Sequence, residues 1–253
     1  MEKLSVVIIT LNEENNITRC INSVKDIADE IIILDSFSTD KTPQICKQLG
    51  VRFLQHAFDG HIQQKNRALQ LANNEWVLSL DADEIPDAVL LSNLKKALKN
   101  PLADAYYFNR LTNYLGKWIH HSGWYPDKKL RLLKKSMGQW AGANPHDKIE
   151  MQSKAKVEYL GGNLLHYSYY SIEQHIAQIN TFTTIGAKEA FLKGRKANAL
   201  IATGKAFWKF IRDYFFKAGF LDGYYGYVIC SLSAWATFTK YLKIRELHKN
   251  NKK

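Results

Sequence analysis

The chain has 253 residues, 46% hydrophobic and 23% charged, which are globular values that exclude a disordered or fibrous protein and allow one sizeable core with an appendage. Its 35 Lys and Arg against 24 Asp and Glu leave a net charge of +11, a balance that points to a polyanionic partner: nucleic acid, an anionic membrane surface or a phosphorylated substrate. Cys20, Cys46 and Cys230 lie far apart without paired ligand spacing, so the sequence supports neither a disulfide framework nor a zinc site and fits a reducing compartment.

The first apolar run, Ser5–Ile9, is too short for a signal peptide and has no basic leader, so it is expected to be a strand. Helix-length and strand-length segments then alternate: helix Glu13–Lys25, strand Glu30–Leu34, helix Thr39–Leu49, strand Val51–Gln55, helix Ile62–Ala72 and strand Trp76–Leu80. Four near-continuous apolar strands separated by helices predict an α/β fold with a doubly wound, mainly parallel sheet buried on both faces. Ser38, Thr39 and Asp40 offer caps ahead of Pro43 in the first turn of the second helix. From Pro101 the strand candidates shorten, to Ala105–Asn109, Lys129–Leu133, Val157–Leu160 and Asn163–His166, with aromatic loops between them.

Beyond Ser171 the chain reads as helix. Phe207, Trp208, Phe210, Ile211, Tyr214, Phe215, Phe216 and Phe220 recur at helical spacing among Lys205, Lys209, Arg212 and Lys217, a mixture that suits a bilayer interface. Gly223–Thr239 carries no formal charge but is too short and too polar for a spanning helix, and a basic tail from Lys240 to Lys253 follows. Packing of these helices on the domain or on a partner subunit is the alternative expectation.

Asp81-Ala82-Asp83-Glu84 stands directly behind the fourth strand. Ligands collect at strand C-termini in open α/β sheets, and carboxylates two residues apart suit Mg²⁺ or Mn²⁺ carrying a diphosphate. The competing role is that of acids which end a strand and cap the helix expected near Pro86. With Ser5–Glu14 as first strand and turn and Asp35–Thr42 behind the second strand, the chain over Leu4–Arg110 resembles the glycosyltransferase family 2 enzymes of the GT-A fold.

The resemblance implies a nucleoside-diphosphate sugar donor, expected to be a UDP-sugar, held through a divalent metal. It assigns Thr10, Leu11 and Asn12 to the turn that cradles base and ribose, although many relatives carry an aromatic where Leu11 stands. Asp35 is assigned to the nucleobase, Lys65 to the diphosphate, Asp81 and Ala82 to the donor, and Asp81, Asp83 and His166 to the metal. Asn144-Pro145-His146-Asp147 is similar to an element of the branch associated with lipopolysaccharide core sugars, which makes Asp147 the expected general base, kept ionised by His146 or Lys148. Arg131 is matched to a basic residue that holds a substrate phosphate, and Trp124, with Trp118 and Trp140, offers a face for sugar rings. One base and no enzyme nucleophile imply inversion at the anomeric carbon.

The implied organisation is a GT-A catalytic domain over 1–170, with donor half 1–110 and acceptor half 111–170, and an amphipathic helical extension over 171–253. The implied activity is sugar transfer to a saccharide or lipid-linked saccharide at the cytoplasmic face of the inner membrane, without a nucleic-acid partner. A nucleotidyltransferase would open with a glycine-rich phosphate loop, whereas this turn reads Leu11-Asn12-Glu13-Glu14. A non-catalytic relative would not need its carboxylates.

Overall fold

A computed structural model of the chain describes residues 1–143 and 146–251. Its contacts divide the chain into two compact units, Met1–Leu111 with Asp127–Tyr167 and Thr112–Pro126 with Ser168–Lys253.

In the first unit, β1 (Leu4–Thr10), β2 (Glu30–Asp35), β3 (Arg52–Gln55) and β4 (Trp76–Asp81) run parallel in the order β3-β2-β1-β4. Their connections are α1 (Ile17–Val24), α2 (Thr42–Gln48) and α3 (His61–Leu71). Period-2 alternation along β1 sends Leu4, Val6 and Ile8 to one face, where they meet Ile17, Cys20 and Ile21 of α1, and Val7 to the other, where it meets Ala68 and Leu69 of α3. Two apolar layers on one sheet are what the uninterrupted apolar strands require. Helix α1 starts four residues later than the sequence pattern suggests, because Glu13 is held in a turn: its carbonyl accepts from Asn16 and Ile17 and its amide donates to Thr42 Oγ1 at 2.8 Å.

Antiparallel strands extend the sheet: β8 (Asp127–Lys134) on β4, β6 (Ala105–Tyr114) on β8, then β11 (Val157–Tyr169) and β5 (Glu84–Pro86). The two strand candidates around Gly161 and Gly162 are one strand. Gly162 adopts φ +105°, and a Cβ there would stand 2.4 Å from the Leu90 amide, so glycine is needed for the strand to pass α4 (Ala88–Lys99). A hairpin, β9 (Gly138–Ala143) with β10 (His146–Met151), forms a separate two-stranded sheet.

In the second unit β7 (Lys117–Ile119) pairs back on the end of β6, and α5 (Ile172–Leu192) and α6 (Ala199–Ile211) each pack on α7 (Gly223–Asn250). A π-helical turn at Arg212–Phe216 and a 3-10 turn at Gly219–Asp222 join α6 to α7. Asp222 ties the entry of α7 to the loop behind β7, accepting from the His121 amide at 2.9 Å and the His120 amide at 3.2 Å. Among the described residues no helix is long and apolar enough to cross a membrane. Cys20, Cys46 and Cys230 are buried free thiols.

Candidate active site

Chain order fixes where a ligand can enter. From β1 the chain winds outward through β2 to β3, then returns to place β4 on the other side of β1, so the winding reverses between β1 and β4. At such a reversal the connections leave in opposite directions and open a crevice at the strand C-termini. Register aligns Thr10 with Asp35 and Ile9 with Asp81, which brings the three sequence motifs to that one edge.

The β1–β2 side of the edge is built on Asp35. Its carboxylate is fully buried and accepts from Thr10 Oγ1 at 2.9 Å, the Ser38 amide at 2.9 Å, Gln55 Nε2 at 3.0 Å and the Ser38 hydroxyl. Asp35 thus acts as the post around which both turns fold. Asn12 (φ +56°) and Phe37 (φ +62°) occupy the left-handed region that non-glycine residues enter at a cost, as turns beside binding sites do. Backbone and side-chain bonds on either side, from Ser36 N to Thr10 O at 2.9 Å and from Asn12 N to Ser38 Oγ at 2.8 Å, bracket Leu11 and Phe37 as neighbours. They are 50% and 55% exposed, an apolar pair held out at a polar edge. Asp40 is structural: it accepts from the Thr42 amide at 2.9 Å and the Glu14 amide at 3.0 Å.

The carboxylates at the end of β4 do not cap a helix. That task falls to Asp87, which accepts from the Leu90 amide at 2.7 Å. Asp81 instead meets Lys65 Nζ at 2.9 Å and Arg131 Nη2 at 2.9 Å. Burial would raise its carboxyl, but the two cations hold it well below the usual carboxylate range. Arg131 is buried and forks onto Glu84, Nη2 to Oε1 at 2.8 Å and Nε to Oε2 at 3.2 Å, with Arg110 adding 3.2 Å to the same Oε1. Burial would lower the Arg131 pKa and raise that of Glu84; the mutual attraction reverses both. The sequence expectation that Arg131 faces a substrate phosphate is therefore answered by a guanidinium engaged beneath the rim. Ala82, between the two Asp residues, is buried.

Lys65 also reaches Asp147 Oδ2 at 2.8 Å, so one buried ammonium ties the rim to a residue 82 positions away. The cation beside Asp147 is thus Lys65, while Lys148 pairs with Glu150 at 3.0 Å. Asn144 and Pro145 of that motif lie outside the described residues, as do Lys252 and Lys253 of the basic tail. Asn66, next to Lys65, clamps the hairpin by bonding both backbone groups of Trp140, at 2.8 and 2.9 Å. Trp140 is buried, with Lys65 Nζ 4.4 Å and Arg131 Cζ 5.1 Å from its ring, so it supports cations rather than offering a face to a sugar. Trp118 and Trp124 belong to the second unit, where the Trp124 ring lies 5.7 Å from Tyr114 and 5.6 Å from Tyr169.

Asp83 faces His166, with Oδ2 3.1 Å from Nε2, and the Tyr167 amide fixes the Asp83 carbonyl at 2.9 Å. The donor set fits a hard divalent ion: adjacent ligands of an octahedral Mg²⁺ or Mn²⁺ with bonds of about 2.1 Å stand about 3.0 Å apart. Among the described residues no group of three or more His, Cys, Asp or Glu side chains is arranged to hold a metal. An ion here would therefore keep water and phosphate oxygens as its remaining ligands, as Mg²⁺ sites do. Asp81 is bonded to two cations, Lys65 and Arg131. Nearby, burial and the charges of Asp83 and Asp40 push the Glu13 carboxyl up to about 7, against the bond from Asn16. Glu13, Glu84, Arg110 and Phe37 are the site residues that sequence patterns passed over; an aromatic inside the polar run Ser36–Ser38 was the available signal for Phe37.

Sheet order, reversal point and acidic rim are those of an α/β fold of the GT-A type. Residues 5–159 match the model of glycosyl transferase family 2, and the chain belongs to that family. An uncharacterized glycosyltransferase of Rickettsia typhi is 33% identical over 257 residues, covering 98% of this chain and 88% of that one. The lipopolysaccharide core biosynthesis glycosyltransferase LpsC of Rhizobium meliloti is 27% identical over 258 residues, 97% of this chain and 93% of that one. Among solved structures, glucosyl-3-phosphoglycerate synthase from Mycobacterium tuberculosis, in complex with Mn²⁺ and uridine-diphosphate-glucose, matches with TM-score 0.38 and 26% identity over 44% of each chain.

Proposed function

We propose that the protein is an inverting, metal-dependent hexosyltransferase that moves a sugar from a nucleoside-diphosphate donor, a UDP-sugar, to a hydroxyl of a saccharide or lipid-linked saccharide. The observation that carries this is the pairing of Lys65 with both Asp81 and Asp147, which joins the acceptor-side hairpin to the donor rim. In this reading Leu11 and Phe37 take the base and the Thr10–Asn12 turn takes the ribose. Bound at Asp83 and His166, Mg²⁺ or Mn²⁺ would supply Lewis-acid neutralisation of the departing diphosphate. Asp147 accepts the proton of the acceptor hydroxyl as that oxygen bonds to the anomeric carbon and the bond from that carbon to the diphosphate breaks. Lys65 holds Asp147 in position, and a single displacement inverts the anomeric centre.

The near full-length similarity to a lipopolysaccharide core enzyme supports a cell-envelope saccharide as acceptor. Three buried free thiols suit a cytoplasmic setting at the inner-membrane face. The test is a panel of nucleotide sugars scored for binding and slow hydrolysis, with Mn²⁺ and with chelator. Asp147→Asn should leave donor binding intact and lower transfer by about 10²–10⁴-fold. Transfer at the parent rate by that variant removes Asp147 as base, and indifference to chelator removes the metal.

A further inference from the structure

The second unit contains a feature that sugar transfer does not use. Thr203, Ala206, Phe207 and Phe210 recur at i, i+3, i+4 and i+7 on α6 and, with Trp235 and Phe238 of α7, line an open apolar groove of about 340 Å³, within the range of small-ligand sites of about 300–1,000 Å³. Beside it, at the α6–α7 junction, Trp208, Phe215, Phe216, Phe220 and Tyr224 are exposed, and the rings of Trp208 and Phe216 lie 5.9 Å apart, tilted by 47°. Apolar exposure on this scale marks an interaction surface rather than ordinary surface composition.

Charge identifies the occupant. The first unit holds 20 Lys and Arg against 19 Asp and Glu, and the second 15 against 5, so +10 of the chain's +11 resides in the second. Of its five acids, Asp213 is buried in ion pairs with Lys209 and Arg212, and Asp222 is buried against backbone amides. A nucleic acid would meet the charge but not the groove. Protein interfaces are depleted in lysine, whereas Lys205, Lys209 and Lys217 are interleaved with the aromatics. Aromatic anchors among lysines on a helix that does not span are the chemistry of an anionic bilayer surface.

We propose that the α6–α7 hairpin docks on anionic lipid, its groove seating an acyl chain while the surrounding lysines meet phosphate headgroups. The inference is independent of glycosyl transfer and is tested without donor or acceptor. The full chain is sedimented with phosphatidylglycerol-containing vesicles and with pure phosphatidylcholine vesicles, and Trp fluorescence is read against lipids brominated in the acyl chain. Binding to the anionic vesicles, loss at high salt and quenching by bromine are expected. Phe207→Glu, at an exposed position that folding does not need, should weaken binding about tenfold or more with an unchanged melting temperature and unchanged donor hydrolysis. No binding to anionic vesicles, equal retention of Phe207→Glu, absence of quenching, or a dimer that Phe207→Glu dissolves while vesicle binding persists would each overturn it.

Discussion

Replacing Arg131 by Met tests whether the rim is organised by a buried guanidinium. Glu84 is fully buried, and Arg131 supplies its two bonds of 2.8 and 3.2 Å as well as one to Asp81 at 2.9 Å. Removing one partner of a buried pair costs about 3–5 kcal/mol, because the remaining charge loses both its solvent and its counter-ion. Glu84 would still have Arg110 at 3.2 Å and the Asp81 amide at 3.2 Å, so a loss near 3 kcal/mol is expected, the lower end of about 3–5 kcal/mol. For a unit of this size that is a fall in melting temperature of about 6–12 °C, read by fluorescence of Trp76 and Trp140 in the first unit. The sign with pH follows from Glu84. Its pKa is held below the ordinary value of 4.5 in the fold, so the bonds stabilise above that value and are lost as pH falls through the lower one. The gap between parent and variant should therefore narrow on acidification. Arg131→Lys, which keeps the charge without the fork, should fall between the two. A variant melting within about 2 °C of the parent, or a gap that widens in acid, refutes the reasoning.

Asp83→Asn and His166→Ala should each weaken Mn²⁺ binding in the presence of nucleoside diphosphate by about a hundredfold or more, measured from the signal of free Mn²⁺ by electron paramagnetic resonance. An unchanged titration in either variant takes that residue out of the metal site. In the second unit, burial pushes the His175 pKa down to about 4, with Nδ1 2.9 Å from the Tyr114 hydroxyl. The unfolded chain takes up this proton near 6.5 and the folded chain only near 4, so stability falls as pH drops through that window. After discount for solvent screening the loss is about 2 kcal/mol. Helical melting at pH 7 and 4.5 should show it in the parent and not in His175→Gln; equal losses would count against it.

The parallel half of the fold is legible in the sequence because each strand there is an unbroken apolar run, a pattern that follows from burial on both faces. The hairpin β9–β10 is not, since Gly138–Ala143 and His146–Met151 mix glycine and charge and owe their pairing to Asn66, 74 positions from Trp140. β5 has three residues and exists only because β11 accepts it. At the site, residue types at strand ends could be read in order, but their partners could not. Lys148, adjacent in sequence, is the natural candidate to hold Asp147; pleating turns it to Glu150, and Lys65 arrives from α3. Asp35 likewise reads as a ligand and turns out to be enclosed by four donors.

Two rim carboxylates so close in sequence have different partners, Asp81 the cations Lys65 and Arg131, Asp83 the imidazole of His166. Asp81, Glu84 and Asp147 are paired with Lys65, Arg131 and Arg110, the last shared with Asp127 at 2.8 Å, so the cations of the rim are engaged before any substrate arrives. A diphosphate entering the crevice would gain little from cations already bonded on two sides, and would suffer from the carboxylates behind them. In the proposed function a divalent cation accompanies it. Asp83, which meets His166 at 3.1 Å, is in that proposal the rim carboxylate that would share an ion with phosphate oxygens. Metal and nucleotide should accordingly bind cooperatively, each tightening the other by the same factor. Mn²⁺ titrations with and without UDP measure that factor, and equal affinities in the two would mean that the rim holds its nucleotide by some other means.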